Sequence, residues 1–321
     1  MLKIIIKRIL QVIPTLLVVV TFTFIVTRMI PGDPATAMVG DNYDAVKLEE
    51  LRESMGLNES IPKQYVSYLK DILRVNFGYS YYFKCSALEQ IAQRLPNTLV
   101  LTLTSLAIAA TLGTVLGILS ARWQGSVADY VMSIVSLFGV SAPVFWVAIM
   151  LVMIFAVNLG WLPTFGMADL AKDGWVEFLR HMCLPCACLS VIPMATFMRI
   201  SRSSMIEALG NDSITCLRAR GIREKSILWK HALKNALPPI VTILGIQLAG
   251  CFSGAVLTEN IFSWPGMGTM ITSAINNRDY SLIQATVLVI ALAFVIINLL
   301  TDLAYMAINP KVANDAKNGG M

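Results

Sequence analysis

Cys183, Cys186 and Cys188 follow His181 and Met182 within one short stretch. Thiolate, thioether and imidazole are the ligands that soft transition metals choose, so a metal site is one chemistry this stretch offers. A thiol in an apolar run also behaves as a small hydrophobe, and small residues at the end of a membrane helix serve close packing. The expectation is packing and no metal; Cys85, Cys216 and Cys251 are scattered. Ser253 beside Gly254 could be imagined as a nucleophile, which requires a base within hydrogen-bond reach. The two histidines, His181 and His231, fall outside the apolar runs, H-E-x-x-H does not occur, and no paired acids lie inside those runs. The G-x-x-x-x-G-K-[ST] phosphate cradle is also missing, so an enzyme is not expected and any ATP hydrolysis belongs to another polypeptide.

Other polar residues sit within apolar stretches at helical spacing. Gln247, Gly250, Gly254 and Thr258 share approximately one helical face, and Thr98, Thr102 and Ser105 form a similar pattern. Such a face can line a conduit or can let another helix approach closely, and both readings stay open.

The elements that carry these residues follow from composition. The chain is 14% charged and 56% hydrophobic, whereas a soluble domain is about one quarter charged. An integral membrane protein is the class that fits. The net charge of +5 does not imply nucleic acid, because no basic groove with interleaved aromatics exists, and the excess is assigned to orientation in the bilayer. Uncharged runs able to cross a core of about 30 Å occur near residues 9 to 27, 97 to 120, 134 to 158, 183 to 198, 236 to 258 and 281 to 301.

The first run resembles a signal peptide in having Lys3, Lys7 and Arg8 before it and Ala35, Thr36, Ala37 after it. Its length and the intervening Arg28 and Pro31 to Pro34 favour a retained anchor. If the N-terminus is cytoplasmic, Lys3, Lys7, Arg8, Arg122 and the basic segment 199 to 235 lie inside. Asp41, Asp44, Glu49, Glu50, Glu53, Asp169, Asp173, Glu177 and Glu259 then lie outside. Both termini are therefore expected in the cytoplasm.

Two segments are too polar to span. In residues 31 to 95, Val46, Leu48, Leu51 and Met55 alternate with charges, and Tyr65, Leu69, Ile72 and Leu73 recur at helical spacing, which predicts a small helical segment on the outer face. Between the fourth and fifth runs, Asn211 and Asp212 are placed to cap a short helix containing Ile214, Cys216 and Leu217. Gly221 can end it in the left-handed conformation, and Ile222, Ile227, Leu228 and Leu233 then form a second apolar stripe. Helix, turn and helix make a rigid cytoplasmic protrusion.

That protrusion resembles the "EAA" coupling loop of permease subunits in binding-protein-dependent ABC importers, in the branch with the dipeptide, oligopeptide, glutathione and nickel systems. Arg199, Arg202, Ser203, Ser204, Met205 and Glu207 match its start. Arg218, Ala219, Arg220 and Gly221 match its middle, and His231, Ala232, Leu233, Lys234, Asn235 and Ala236 its end. Further matches are Pro31, Gly32, Asp33 and Pro34 after the first run, the short motif of Phe77, Gly78 and Ser80, and the outer element of Glu259, Phe262, Pro265, Gly266 and Gly268. Arg278, Asp279 and Tyr280 follow it. The chain departs where the loop is named: Cys216 and Leu217 replace the Ala pair and Thr215 the acid.

The resemblance implies an all-α membrane permease in three parts: residues 1 to 93, the first helix plus the outer segment; 94 to 310, a five-helix core with the coupling loop at about 199 to 236; and 311 to 321, a cytoplasmic tail. It implies a homologous second permease, two ABC ATPases that carry the ATP and Mg, an extracytoplasmic solute-binding protein, membrane lipid around the spans, and no cofactor on this chain. The ATPase contact would fall on Asp212, Thr215, Leu217, Arg218, Ala219, Arg220, Gly221 and Ile222, and the translocation path on Gln247, Gly250, Gly254, Thr258 and Thr102. Peptides are the first expectation for the solute, with glutathione, nickel or a metal chelate as alternatives.

Overall fold

The computed structural model describes residues 2–30, 35–36, 45–80 and 82–308. Pro31 to Pro34, Ala37, Asp41, Asp44 and the tail 311–321 lie outside the described residues, as do the side chains of Lys3, Lys7 and Arg8. The described residues are almost entirely helical: α1 (Leu2–Met29), α2 (Ala45–Ser54), α3 (Ile61–Leu73), α4 (Ala87–Arg122), α5 (Val127–Ser141), α6 (Val144–Asn158), α7 (Gly174–Leu209), α8 (Asp212–Ala219), α9 (Glu224–Phe262), α10 (Met267–Asn276) and α11 (Tyr280–Ile308). A two-residue hairpin, β1 (Tyr79–Ser80) and β2 (Cys85–Ser86), pairs Tyr79 with Ser86 and Ser80 with Cys85.

Helices dominate because a chain this apolar must satisfy its backbone groups internally. Among the described residues five helices are long and apolar enough to cross a membrane, or six spans if a bent pair forms one. The run near 134 to 158, expected as one straight crossing, is in fact that bent pair: α5 and α6 meet at 109°. Pro143 is the cause, since it caps α6 and holds Ala142 in the extended conformation, which a helix cannot continue. The fourth run is longer than expected. α7 has 36 residues, about 54 Å at 1.5 Å per residue, so it carries polar ends well beyond a bilayer.

The chain forms two compact units, one of Met1–Ile4, Thr98–Trp264 and Ile296–Met321, the other of Ile5–Asn97 and Pro265–Val295. In the first, α4 and α7 approach at Gly113 and Gly117: a Cβ on Gly113 would lie 2.5 Å from the Met194 carbonyl oxygen, and one on Gly117 2.5 Å from that of Met198. Phe197, Met205 and Trp264 are fully buried in its core. Gly245 on α9 admits Thr301 of α11 by the same device.

In the second unit, Ala87, Ile91, Met270 and Leu282 make an apolar core. Phe77, Gly78 and Ser80 meet Asp279 and its neighbours there: Ser80 Oγ donates to Asp279 Oδ2 at 2.6 Å, and the Leu282 N–H to Asp279 Oδ1 at 3.2 Å. Two motifs some 199 residues apart are thus one structural joint. Asp279 is 1% exposed, and burial raises its pKa above the ordinary carboxylate value.

Candidate functional site

The protrusion is built around α8. Asn211 precedes it in extended conformation, although its side chain makes no capping bond. At the other end the Gly221 N–H bonds the Arg218 carbonyl, the Ile222 N–H bonds the Leu217 carbonyl, and Gly221 has φ +75°. This is the Schellman arrangement, and it needs a left-handed residue at Gly221. Ile214 is 1% exposed and packs in the same core as Ile227, Leu228 and Met205. Leu217 is half-buried, while Asp212, Thr215, Arg218, Ala219, Arg220 and Gly221 are exposed. One anchoring side chain and an otherwise open surface are what a docking element requires.

The expected second helix of this protrusion is not separate. Residues from Glu224 onward run without a break into α9, through a π-helical stretch at Ile227–Ala232, and residues 199–209 are the end of α7. α8 is therefore a bridge between two long helices rather than half of an independent hairpin. Arg218 also differs from expectation, because its Nε donates to Glu224 Oε1 at 2.7 Å and braces the turn. Arg220 and Arg223 are exposed beside it.

A second feature went unnoticed in the sequence. Asp129, at the start of α5 and 3% exposed at its side chain, receives Arg202 Nε at 2.6 Å and Nη2 at 2.8 Å. Ser120 Oγ at 2.5 Å and the Gly125 N–H at 3.0 Å complete its shell. The end of α4, the following turn, the start of α5 and the last third of α7 are thereby tied at one carboxylate. The signal was present: a lone acid next to an apolar run must find a cation, and Arg202 was already singled out.

The polar faces separate on inspection. Thr258 is fully buried with its hydroxyl bonded to the Gly254 carbonyl, and a Cβ on Gly254 would lie 3.2 Å from Leu189 Cδ1. Gln247 is half-buried, and Gly250 is exposed with only Gln247 Oε1 near, at 3.7 Å. The open stripe of α9 is instead Thr242, Ile246, Gly250, Ser253, Leu257 and Asn260, spaced by three and four residues. Thr102 is buried with no hydroxyl partner among the described residues. Thr98 Oγ1 donates to Glu259 Oε1 at 2.6 Å, and Ser105 bonds its own helix.

In the element from Glu259 to Gly268, Glu259 and Phe262 are buried, and Ser263 reverses the chain in left-handed conformation. In the other unit Pro265 accepts from Asn97 Nδ2 at 2.8 Å, and Gly266 caps α10, which Gly268 enters. The cysteines point apart: Cys183 is exposed, while Cys186 and Cys188 are buried toward the Leu101 and Val144 carbonyls. No group of three metal-ligating side chains occurs among the described residues.

Long apolar helices joined by one exposed, braced bridge define a multi-pass membrane protein. The chain belongs to the family described as the binding-protein-dependent transport system inner membrane component, whose model matches residues 113–314, and the companion N-terminal model matches residues 1–102. It is similar to the dipeptide transport system permease protein DppB of Alkalihalophilus pseudofirmus, 40% identical over 326 residues (95% of this chain, 98% of that protein). It is also similar to the glutathione transport system permease protein GsiC of Pectobacterium atrosepticum, 38% identical over 312 residues (97% and 99%). Among solved structures, the MetNI methionine ABC transporter in an inward facing form shares the fold, with TM-score 0.56 and 18% identity over 69% of this chain and 97% of that one. The chain is thus a permease of the dipeptide and glutathione branch of ABC importers, seated in the plasma membrane of its cell.

Proposed function

We propose that this chain forms half of the translocation path of an ATP-driven importer of short peptides. The observation that carries this reading is full-length similarity to a dipeptide permease and, almost equally, to a glutathione permease. Glutathione is itself a tripeptide, so short peptide describes both. The difference between 40% and 38% identity does not favour one solute over the other.

In this reading a homologous second permease completes the path, two ABC ATPases bind ATP and Mg and receive α8 in a cleft, and an outer binding protein delivers the solute. Both termini and α8 are cytoplasmic, in keeping with the basic residues around α8. The stripe from Thr242 to Asn260 lines the path, since a stripe containing Gly250, Ser253 and Asn260 gains little from lipid. Movement of the ATPases acts on α8, and its two neighbours transmit the displacement because both are continuous helices. Differential contacts in the two states select inward-open or outward-open bundles.

The test is reconstitution of the chain with its genomic partner permease, ATPases and binding protein, followed by uptake of labelled dipeptide and labelled glutathione. ATP-dependent accumulation of either supports the reading. Accumulation of neither, with uptake of nickel or a metal chelate instead, would overturn it.

A further inference from the structure

The unit of Ile5–Asn97 and Pro265–Val295 carries a half-open cavity of about 270 Å³. Its walls are the last turn of α1, one face of α3, the turns at Gly56 and Gly78, and the first turn of α11. It is close in size to the smallest ligand pockets, which start at about 300 Å³.

Three polar groups on its wall keep bonding capacity that no described residue takes up. Arg28 is half-buried; its Nε donates to Gln64 Oε1 at 2.9 Å and its guanidinium lies over the Phe24 and Tyr280 rings at 5.0 and 5.2 Å. Among the described residues no carboxylate is within ion-pair distance of it. The Tyr68 hydroxyl is buried without a partner among the described residues, and burial pushes its pKa up to about 12, so it remains a donor. Asp71, also half-buried, makes no side-chain hydrogen bond or ion pair among the described residues. Gln64, Tyr68 and Asp71 succeed one another on one face of α3, spaced by four and three residues.

A cation and an anion that face one small cavity without pairing with each other leave a place for a molecule that bridges them. The complement is a molecule bearing both charges: an oxyanion to meet the forked guanidinium and the phenol, and an ammonium with N–H groups to meet Asp71. Depth supplies a second argument. Arg28 stands in the last turn of the apolar stretch Val12–Met29, and Tyr280 opens the stretch Tyr280–Thr301. Both stretches therefore end at the cavity, where hydrocarbon gives way to headgroups. Ile61, Val66 and Leu73 are exposed on α3 nearby, which suits a helix lying in that layer.

We propose that this cavity binds a small zwitterion carrying an oxyanion and a primary ammonium. That chemistry belongs to a phosphoethanolamine headgroup of the surrounding lipid and equally to a free dipeptide. Arg28 and Tyr68 hold the oxyanion, and Asp71 reads the ammonium.

The test is calorimetric titration of the full-length chain in non-ionic detergent. The probes are dihexanoylphosphatidylethanolamine, its phosphatidylcholine counterpart, glycylglycine and inorganic phosphate. One of the two primary-ammonium zwitterions should bind at least about tenfold more tightly than phosphatidylcholine or phosphate, the equivalent of one charge-assisted hydrogen bond. Arg28→Gln and Asp71→Asn should each weaken it by about tenfold. Tyr68→Phe removes one unbonded oxygen, so it should weaken binding while leaving the thermal transition unchanged, which guards against misfolding of the charge variants. Preference for phosphatidylethanolamine assigns the site to lipid, and preference for glycylglycine assigns it to free solute. Equal binding of phosphatidylcholine or phosphate, affinity indifferent to all three variants, or no binding of either zwitterion would overturn the proposal.

Discussion

Gly117 and Gly250 are small for opposite reasons, and only the neighbours reveal which. A methyl at Gly117 would meet a backbone carbonyl, which cannot swing aside, whereas one at Gly250 meets only the end of Gln247 at 3.7 Å. Gly117→Ala and Gly113→Ala should each destabilise the chain by about 1–3 kcal/mol, as overpacking does. Gly250→Ala should leave the thermal transition unchanged and alter peptide uptake. Thermal unfolding in detergent beside an uptake assay separates the two; equal Tm losses at Gly117 and Gly250 would contradict the packing argument. Asp279 adds a pH-dependent case. Burial raises its folded-state pKa, so between the unfolded and the raised value the folded chain holds more protons than the unfolded one. Its contribution is complete below the ordinary carboxylate value and is lost as pH rises through the raised one. Asp279→Asn should flatten that part of the stability profile, as read from Tm across pH 4 to 8.

At the scale of elements, the bridge α8 was legible in the sequence because Asn211 and Gly221 mark its ends with residues whose backbone preferences are strong. Its continuity with α9 was not legible: the stripe of Ile222, Ile227, Leu228 and Leu233 reads as a short separate helix, whereas the helix that starts at Glu224 runs on through Ile227–Ala232 into the long apolar stretch. The open stripe from Thr242 to Asn260 lies about one residue of rotation from the face of Gln247, Gly254 and Thr258, a distinction the sequence does not carry because small residues look the same whether they admit a helix or open a path. At Gly221 a substituted Cβ meets nothing within 4 Å, so Gly221→Val acts through φ alone and costs about 1–2 kcal/mol locally. Insertion should persist while ATPase attachment and uptake fail; wild-type uptake with ATPases bound would remove α8 as the coupling element. The Asp129–Arg202 tie makes a related prediction. Asp129→Asn leaves Arg202 without its charge partner, which costs about 3 kcal/mol or more, whereas replacing both by Leu and Met recovers most of it. If the tie carries motion from α7 to α5, the recovered double variant should regain stability but keep a lowered ratio of uptake to ATP hydrolysed.

At the scale of the whole molecule, the bent pair decides the topology. α5 and α6 have 15 residues each, about 22 Å at 1.5 Å per residue, which is less than a hydrocarbon core of about 30 Å, and they meet at 109°. By length alone the pair is either one broken crossing or a re-entrant loop, and the sequence, seeing one uncharged run, could not pose the question. Charge and aromatic placement answer it. Arg122 stands before the pair, and Arg218, Arg220, Arg223 and Lys225 cluster around α8. The segment after the pair carries Asp169, Asp173 and Glu177, with Trp161 and Trp175 exposed at its borders. If the pair crosses, α7 returns the chain and Arg122 shares a side with Lys225, both basic ends together and the acidic, aromatic-flanked segment opposite, as bilayer insertion favours. A re-entrant pair would put Arg122 and the basic cluster on opposite sides. In a background with the six cysteines replaced, Arg122→Cys and Lys225→Cys should therefore be protected together from an impermeant thiol reagent in intact cells, while Asp169→Cys is labelled. Protection of Arg122→Cys and Asp169→Cys with labelling of Lys225→Cys would establish the re-entrant form, and with it would fall the placement of α8 beside cytoplasmic ATPases.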